Sequence, residues 1–358
     1  MTERKISYAE AIREATDIMM ARDPSVFVIG EGVPDPKKIF GTTSGLIEKY
    51  KGRVLDMPLS ENGMTGICVG AALTGMRPVM VHQRVDFGLL AMDQIANSAA
   101  KWNYMFDGKR SVPMVIRFII GRGWGQGPQH SQSLQALFAH IPGLKVVMPS
   151  TPYDAKGMLI SAIEDNNPVI FIEHRWLHYI KDDVPEGYYT VPLEKCRVIR
   201  EGKDITIAAT SYMTIESIKA SEMLMELGIS VEVVDIRTLK PLDEETIISS
   251  VKKTKNLLVC DSGWKFGGFA GEVIATVVEK AFDQLSSAPQ RIASPDFPTP
   301  SSRALADAYY PLSTDIANKV LAMLGRSKQD LEKLEGIAKI RFRGVSLDQP
   351  DASFEGPF

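Results

Sequence analysis

Residues 58–79 read PLSENGMTGICVGAALTGMRPV, and this stretch decides the fold. Glycine and alanine dominate residues 63–75, which predicts a helix packed very close to its neighbours. Residues 77–82 (RPVMVH) then have the composition of a short buried strand. A tightly packed helix followed directly by a buried strand indicates one unit of an α/β fold.

The same alternation of β-rich runs and helical stretches continues on both sides of this segment and predicts largely parallel sheets. In the first half we predict strands at 26–30, 77–82, 112–120, 146–147 and 168–173, and helices at 7–22, 63–75, 89–101 and 154–164. In the second half we predict strands at 204–209, 231–236 and 256–260, and helices at 214–227, 243–253, 271–285 and 314–324.

The length of the chain, 358 residues, indicates two domains at about 100–200 residues each. A polar, irregular stretch containing Pro185, Gly187 and Pro192 separates the two α/β patterns. We predict a first domain over 1–185, a linker over 186–200, a second domain over 201–327 and a polar, weakly periodic tail over 328–358.

The overall composition is that of a globular protein, with 44% hydrophobic and 24% charged residues. The net charge of −3, without a block of like charges, gives no electrostatic reason to expect nucleic acid or a membrane surface as partner. Cys68, Cys196 and Cys260 have neither disulfide-framework nor metal-ligand spacing. No signal-peptide core and no apolar run of about 18 residues is present, so we expect a cytoplasmic protein.

Four blocks of the first half, taken in order, resemble one family. They are 58–79, 86–105 (DFGLLAMDQIANSAAKWNYM), 127–159 (GPQHSQSLQALFAHIPGLKVVMPSTPYDAKGML) and 161–177 (SAIEDNNPVIFIEHRWL). They are similar to the β subunit of the decarboxylating component of pyruvate, branched-chain 2-oxo acid and acetoin dehydrogenases, and to the C-terminal halves of transketolases. The resemblance runs from about residue 5 to 325 and implies a transketolase-like pyrimidine-binding domain followed by a transketolase C-terminal domain.

Glu61 stands before the glycine-rich helix, where an isolated carboxylate would only favour the positive end of the helix dipole. The family binds thiamine diphosphate, whose ring system the protein has to position and tune. The resemblance implies that Glu61 hydrogen-bonds the cofactor's pyrimidine ring and promotes its imino form. It also implies that Phe87 stacks on that ring. Leu59 and Gln83 are expected to line it; Phe87 alone would be interpreted as core.

The glycine cluster at 121–127 (GRGWGQG) matches neither a P-loop nor a dinucleotide fingerprint and on its own predicts a flexible loop. The resemblance implies that this loop borders the active site and that His130 faces the substrate. A histidine there can donate to a developing negative charge or move a proton near neutral pH. Glu61 and His130 are therefore the expected catalytic residues. No catalytic role is expected for His82, His140, His174 and His178.

Residues 162–168 (AIEDNNP) have the composition of a helix end followed by a turn. The resemblance adds a monovalent cation, often potassium, bound mainly by backbone carbonyls. The expected ligands are Ala162, Ile163, Asp165 and Asn167.

A diphosphate site of the thiamine-enzyme type is missing from the chain. Such enzymes hold Mg²⁺ and the diphosphate with a Gly-Asp-Gly segment, which does not occur here; Asp107-Gly108 follows Phe106 and lacks the pattern. The resemblance therefore implies that an α-type subunit holds Mg²⁺ and the diphosphate. It further implies an α₂β₂ assembly with the active site shared between the chains.

The segment before Phe87 departs from the family. The family usually has Glu and then an apolar residue where this chain has Val81 and His82, and Arg84 is also introduced. We hypothesise that His82 and Arg84 recognise a phosphate or polyhydroxylated substrate, or face the partner chain. Trp124 and the long tail are further departures.

The function implied by the resemblance is decarboxylation of a 2-oxo acid with acyl transfer to lipoamide, on a lipoyl acyltransferase core. One alternative is a transketolase-like or acyloin-forming carboligase that transfers to a sugar or aldehyde. The other is a non-catalytic scaffolding subunit, against which the joint presence of Glu61, Phe87 and His130 argues.

Overall fold

The computed structural model describes residues 4–34, 39–121 and 125–342. Its strands are β1 (Lys5–Ser7), β2 (Val26–Gly30), β3 (Val54–Leu55), β4 (Arg77–His82), β5 (Val115–Ile120), β6 (Lys145–Val147), β7 (Val169–His174), β8 (Lys181–Asp183), β9 (Arg197–Arg200), β10 (Ile205–Ala209), β11 (Val231–Asp235), β12 (Thr238–Lys240), β13 (Leu257–Trp264) and β14 (Gln290–Ser294).

The α-helices are α1 (Tyr8–Arg22), α2 (Leu46–Lys49), α3 (Glu61–Leu73), α4 (Val85–Gly88), α5 (Ala100–Met105), α6 (Gln135–His140), α7 (Pro152–Glu164), α8 (Tyr212–Glu226), α9 (Glu244–Thr254), α10 (Phe269–Ala281), α11 (Arg303–Tyr309), α12 (Ser313–Met323) and α13 (Lys328–Arg341). Single 3₁₀ turns occur at Leu89–Ala91, Gly127–Gln129, Arg175–Leu177 and Phe282–Gln284, and a π-helical segment at Asp93–Ala99.

The predicted α/β fold with largely parallel sheets is confirmed. A seven-stranded sheet has the order β12-β6-β7-β5-β4-β2-β3, in which the neighbours from β6 to β3 are parallel. A five-stranded sheet has the order β14-β13-β10-β11-β9, with only β9 antiparallel. The strands of the larger sheet are almost continuously buried, as expected for parallel strands covered by helices on both faces.

The chain divides into two compact units. The first consists of the described residues up to Glu194 together with Leu239–Pro241, and it contains the seven-stranded sheet. The second consists of Lys195–Thr238 and the described residues from Leu242 onward, around the five-stranded sheet.

The glycine-rich helix α3 begins at Glu61, two residues earlier than predicted, so Glu61 is its first residue and not part of the preceding loop. A Cβ atom on Gly66 would lie only 3.3 Å from the Gln94 side chain. Glycine at this position therefore permits the close approach of α3 to the segment 93–99 that the composition indicated.

The helix predicted at 89–101 is wrong in its extent and type. Helical structure begins at Val85 and continues to Met105 through α4, a 3₁₀ turn, the π-helical segment and α5. A Cβ atom on Gly88 would come within 2.5 Å of the Phe118 ring, so glycine there lets α4 pack directly on β5. Apolar periodicity alone does not report these changes of helical pitch.

The polar tail predicted from residue 328 contains a helix, α13, which the weak periodicity did not predict. Ser327 and Asp330 form a capping box at its start. Leu334 is 1% exposed and belongs to the apolar core of the second unit, with α8 and α12. One narrow apolar stripe is enough to pack such a helix against the core of the second unit. Residues 343–358 lie outside the described part of the chain.

A fully buried ionic cluster connects β5 and β7. Arg117 donates two hydrogen bonds to the Glu173 carboxylate, at 2.6 and 3.0 Å, and both side chains are 0% exposed. His178 Nε2 lies 3.2 Å from Glu173 Oε2. Burial opposes ionisation of Glu173, but Arg117 and His178 outweigh it, so the pKa of this carboxyl is lowered.

The three cysteines are unpaired with one another and buried. None of the helices in the described ranges combines the length and the apolar character needed to cross a bilayer.

Candidate active site

Four adjacent parallel strands bring the predicted site residues to one edge of the larger sheet. Strands β5, β4, β2 and β3 are neighbours in this order and run parallel, so their carboxyl ends lie at the same edge of the sheet. The segment after β3 leads to Glu61, the segment after β4 carries Phe87, and the segment after β5 leads to His130. Ligands of open parallel sheets bind outside the carboxyl ends of the strands, so this edge is the candidate site.

Glu61 is positioned at the N-terminus of α3 and is 6% exposed. Its backbone carbonyl accepts a hydrogen bond from Thr65 Oγ1 at 2.7 Å. Across the described ranges its carboxylate accepts no hydrogen bond and forms no ion pair. A nearly buried carboxylate without an internal partner is suited to a polar ligand, because burial of such a group is costly until it is hydrogen-bonded.

The loop that precedes Glu61 is tied to the neighbouring loop by Asp56. Its Oδ1 accepts hydrogen bonds from the backbone amides of Gly32 and Met57, both at 3.0 Å. Gly32 follows β2 and Met57 follows β3, so the two segments are fixed relative to each other. This contact sets the direction in which the chain enters α3.

Phe87 and His130 are brought together, as the resemblance implied for residues of one site. Their ring centroids lie 5.4 Å apart and the ring planes meet at 86°, an edge-to-face arrangement. Both side chains are half-buried. The backbone amide of His130 donates to the carbonyl of Gly127, which closes a short turn in front of the histidine.

Gln83 and Leu59 lie on the loops of the same edge. Gln83 is half-buried, and its Nε2 donates to the carbonyl of Glu31 at 3.0 Å, just beyond the end of β2. Leu59 is 78% exposed. An apolar side chain this exposed beside Glu61 is available for contact with a ligand or another chain.

The hypothesis that His82 recognises substrate is wrong. His82 is 2% exposed and packs against Phe118, with ring centroids 5.1 Å apart and ring planes tilted by 30°. Its Nε2 is buried and has no hydrogen-bond partner among the residues described. Burial lowers the pKa of the imidazole to about 4, so the ring is neutral at physiological pH.

Arg84, the other departure, is also buried and not directed at solvent; it is 2% exposed. Its Nη1 donates to the carbonyl of Gly121 at 2.9 Å and its Nη2 to the side-chain carbonyl of Gln126. Sequence reasoning did not predict these contacts, nor the hydrogen bond of 2.7 Å from Gln132 Nε2 to Asp86 Oδ1. No local sequence pattern indicates contacts between residues about 40 positions apart. Trp124, the other departure in this region, lies outside the described ranges.

The predicted cation ligands lie at the end of α7, but a side chain already contacts two of them. Arg77 Nη1 donates to the carbonyls of Ile163 and Asp165, both at 2.9 Å, and Nη2 donates to Asn166 Oδ1 at 2.7 Å. A guanidinium therefore supplies positive charge to this group of oxygens. The oxygens suit a monovalent cation in kind, but the ion would have to share two of them with Arg77.

Within residues 4–34, 39–121 and 125–342, no group of three or more His, Cys, Asp or Glu side chains is placed to hold a metal ion.

The fold, together with the candidate site at the carboxyl ends of the parallel strands, defines a transketolase-like subunit with two α/β domains. Residues 4–179 match the family described as transketolase, pyrimidine binding domain, and residues 194–316 match transketolase, C-terminal domain. A solved structure titled "split gene transketolase, inactive beta4 tetramer" has the same fold, with a TM-score of 0.72 and 24% identity; the match covers 89% of this chain and 99% of that one.

Relatives with higher sequence identity show to which family of transketolase-like subunits the chain belongs. The β subunits of acetoin:2,6-dichlorophenolindophenol oxidoreductase from Cupriavidus necator and Bacillus subtilis are 44% and 42% identical, over 88% and 90% of this chain and 96% and 98% of theirs. The pyruvate dehydrogenase E1 component subunit β of Porphyra purpurea is 42% identical, over 90% of this chain and 98% of its own. The chain belongs to the family of thiamine-diphosphate-dependent 2-oxo acid dehydrogenase E1 β subunits.

Proposed function

We propose that this chain supplies the pyrimidine-binding half of a thiamine-diphosphate site and completes it with an α-type subunit. The observation that carries the proposal is Glu61: a carboxylate that is 6% exposed, lacks an internal partner within the described residues and opens a helix at the ligand-binding edge of a parallel sheet. Thiamine diphosphate bound there would supply a nucleophilic thiazolium carbon for reaction with the carbonyl group of a 2-oxo acid.

In this proposal the residues of this chain have separate roles. Glu61 would hydrogen-bond a ring nitrogen of the cofactor's pyrimidine and so favour the imino form of that ring. Phe87 stacks against the same ring, and Leu59 and Gln83 line it. His130, in contact with Phe87, faces the reacting carbonyl, where it donates a hydrogen bond to developing negative charge or transfers a proton.

The proposed partner is an α-type subunit that holds Mg²⁺ and the diphosphate, because this chain has no Gly-Asp-Gly segment. The proposed assembly is a cytoplasmic α₂β₂ heterotetramer, with a lipoyl acyltransferase core as acyl acceptor. We also propose that 1–185 and 201–327 are the two domains, joined by 186–200. The family matches at 4–179 and 194–316 support a division into two domains in this part of the chain, with the second match beginning inside the proposed linker.

The proposed substrates are small 2-oxo acids or acetoin, since relatives that are 42–44% identical over nearly their full length are named for pyruvate and acetoin. A carboligase would use the same residues of this chain and would differ only in the acceptor of the transferred group. Lipoamide-dependent acyl transfer supports the dehydrogenase, whereas product that requires an aldehyde and no lipoyl carrier supports the carboligase.

We further propose potassium as a ligand of the carbonyls of Ala162, Ile163, Asp165 and Asn167. A carbonyl oxygen has two lone pairs, so Ile163 and Asp165 can bind an ion and Arg77 together.

Calorimetric titration of thiamine diphosphate with Mg²⁺ tests the proposed function. The co-expressed complex with the α-type subunit and this chain alone are titrated in parallel. Tight binding only to the complex is the expected result. Tight binding to this chain alone would show a diphosphate site within it and would refute the two-chain model.

A further inference from the structure

Arg84 connects the element that carries Phe87 to the segment that carries His130. Its side chain contacts Gly121 and Gln126, one on each side of the central part of the glycine cluster. Its backbone carbonyl accepts a hydrogen bond from the amide of Phe87 at 3.2 Å. One residue therefore bonds to both segments, and its guanidinium is buried away from solvent between them.

The position of His130 depends on the contacts that surround it. Gln126 directly precedes the 3₁₀ turn Gly127–Gln129, and His130 closes this turn with its backbone amide. Gln132, two residues later, donates to Asp86. The histidine thus lies between two side-chain contacts that fasten its segment to residues 84–87. A single short turn therefore separates Gln126 from His130.

We propose that Arg84 is a positioning residue that sets His130 against Phe87 for reaction with the substrate. The proposal rests on the proposed function, in which His130 faces the reacting carbonyl. Arginine suits the role because its planar guanidinium donates to two acceptors in a fixed geometry, which the single ammonium of lysine does not reproduce. Arg84 does not contact the cofactor in this proposal, so its loss affects the substrate steps and spares cofactor binding.

The test uses the complex with the α-type subunit and the variants Arg84→Met, Arg84→Lys, His130→Gln and the double variant Arg84→Met/His130→Gln. Arg110→Met, at an exposed arginine, is the control. Three quantities are measured: the affinity for thiamine diphosphate, the substrate-free exchange of the cofactor's C2 proton with deuterium, and turnover of pyruvate and of acetoin with 2,6-dichlorophenolindophenol as acceptor.

Arg84→Met is expected to lower kcat by about 10²-fold, the loss typical of a misplaced catalytic group, with a smaller change in KM. Cofactor affinity and C2 exchange are expected to remain within about twofold of wild type, since they do not involve His130. Arg84→Lys should restore part of kcat. The double variant should be no slower than His130→Gln, because the effect of Arg84 passes through that residue.

Losses that multiply in the double variant would overturn the proposal, as would wild-type kcat in Arg84→Met. A variant that also loses cofactor affinity and C2 exchange would assign Arg84 a general structural role, which likewise overturns it. Failure of the proposed function has a different signature: the wild-type complex itself would show no cofactor binding and no C2 exchange.

Discussion

The imidazole of His130 meets the ring of Phe87 edge to face, with centroids 5.4 Å apart and planes at 86°. The two residues follow different strands of the parallel sheet and are separated by 42 intervening positions. Their contact links the proposed platform for the pyrimidine ring to the proposed proton-transfer group.

Phe87→Ala is expected to weaken thiamine diphosphate binding to the complex by at least roughly 2- to 13-fold, because an aromatic stack contributes about 0.5–1.5 kcal/mol beyond the area it buries. Phe87→Tyr retains the stacking face and is the matched control, with affinity near that of wild type. Calorimetric titration measures both. Equal affinity in Phe87→Ala and wild type would exclude Phe87 from the cofactor site.

The stability of the chain is expected to fall in mild acid because of His82. Its pKa is lowered to about 4 in the folded state, below the ordinary value near 6.5. Its contribution to stability is therefore complete above about pH 6.5. As the pH falls from there towards 4, the unfolded chain binds a proton that the folded chain does not. Between pH 7 and 5 this histidine should account for a loss of about 2 kcal/mol.

His82→Phe removes the titrating group and the unpartnered buried nitrogen, and it keeps an aromatic ring against Phe118. Urea unfolding at pH 7 and pH 5 should show a smaller loss of stability in this variant than in wild type. His140→Gln, at an exposed histidine, is the control. The same pH dependence in His82→Phe and wild type would contradict the assignment. Burial also lowers the pKa of His178 to about 4, so this histidine should account for acid dependence of stability that persists in His82→Phe.

The buried ion pair between Arg117 and Glu173 gives a prediction for stability at neutral pH. Glu173→Ala leaves the Arg117 guanidinium uncompensated in the core and should cost about 3–5 kcal/mol of unfolding free energy. Replacing both residues by leucine should cost less, since no buried charge remains. Glu244→Ala, which breaks an exposed pair with Lys280, should cost less than about 1 kcal/mol. Comparable losses for Glu173→Ala and Glu244→Ala would refute the prediction.

Potassium binding is expected to become stronger when Arg77 is replaced by leucine, because the carbonyls of Ile163 and Asp165 then lose their guanidinium donor. A cation at about ten times its dissociation constant stabilises the folded state by about 1.4 kcal/mol. Unfolding of both proteins is followed in KCl and in choline chloride at equal ionic strength. A difference between the salts that is no larger in Arg77→Leu than in wild type would argue against the shared carbonyl site.

The sequence predicted the strands of the sheets well, because strands depend on short-range patterns. Residues 26–30 form a continuous apolar run and residues 78–81 form another inside the strand 77–82, and both strands are found at the predicted bounds. Glu61, Phe87 and His130 were selected by family resemblance. Their arrangement at one edge then follows from the parallel strand order, which puts the ends of β3, β4 and β5 together.

The contacts that hold the site were not predictable from local patterns. The sequence favours a substrate-binding or partner-facing role for Arg84, since an arginine usually keeps its charge in solvent or on a ligand. In the structure it is buried against Gly121 and Gln126. Arg77 likewise reaches Ile163 and Asp165, far along the chain. Such pairings depend on strand order and on the curvature of loops, which single-residue preferences do not encode.

Exchange of the C2 proton of thiamine diphosphate, measured in the complex with wild type and with Glu61→Gln, tests whether Glu61 acts on the cofactor. We expect that Glu61→Gln retains bound cofactor but exchanges the proton at least about 10²-fold more slowly, because the carboxyl group that promotes the imino form is lost. Glu279→Gln, at an exposed glutamate of α10, should exchange as wild type does. Equal exchange rates in Glu61→Gln and wild type, with cofactor bound in both, would contradict the assignment of Glu61 to the cofactor site.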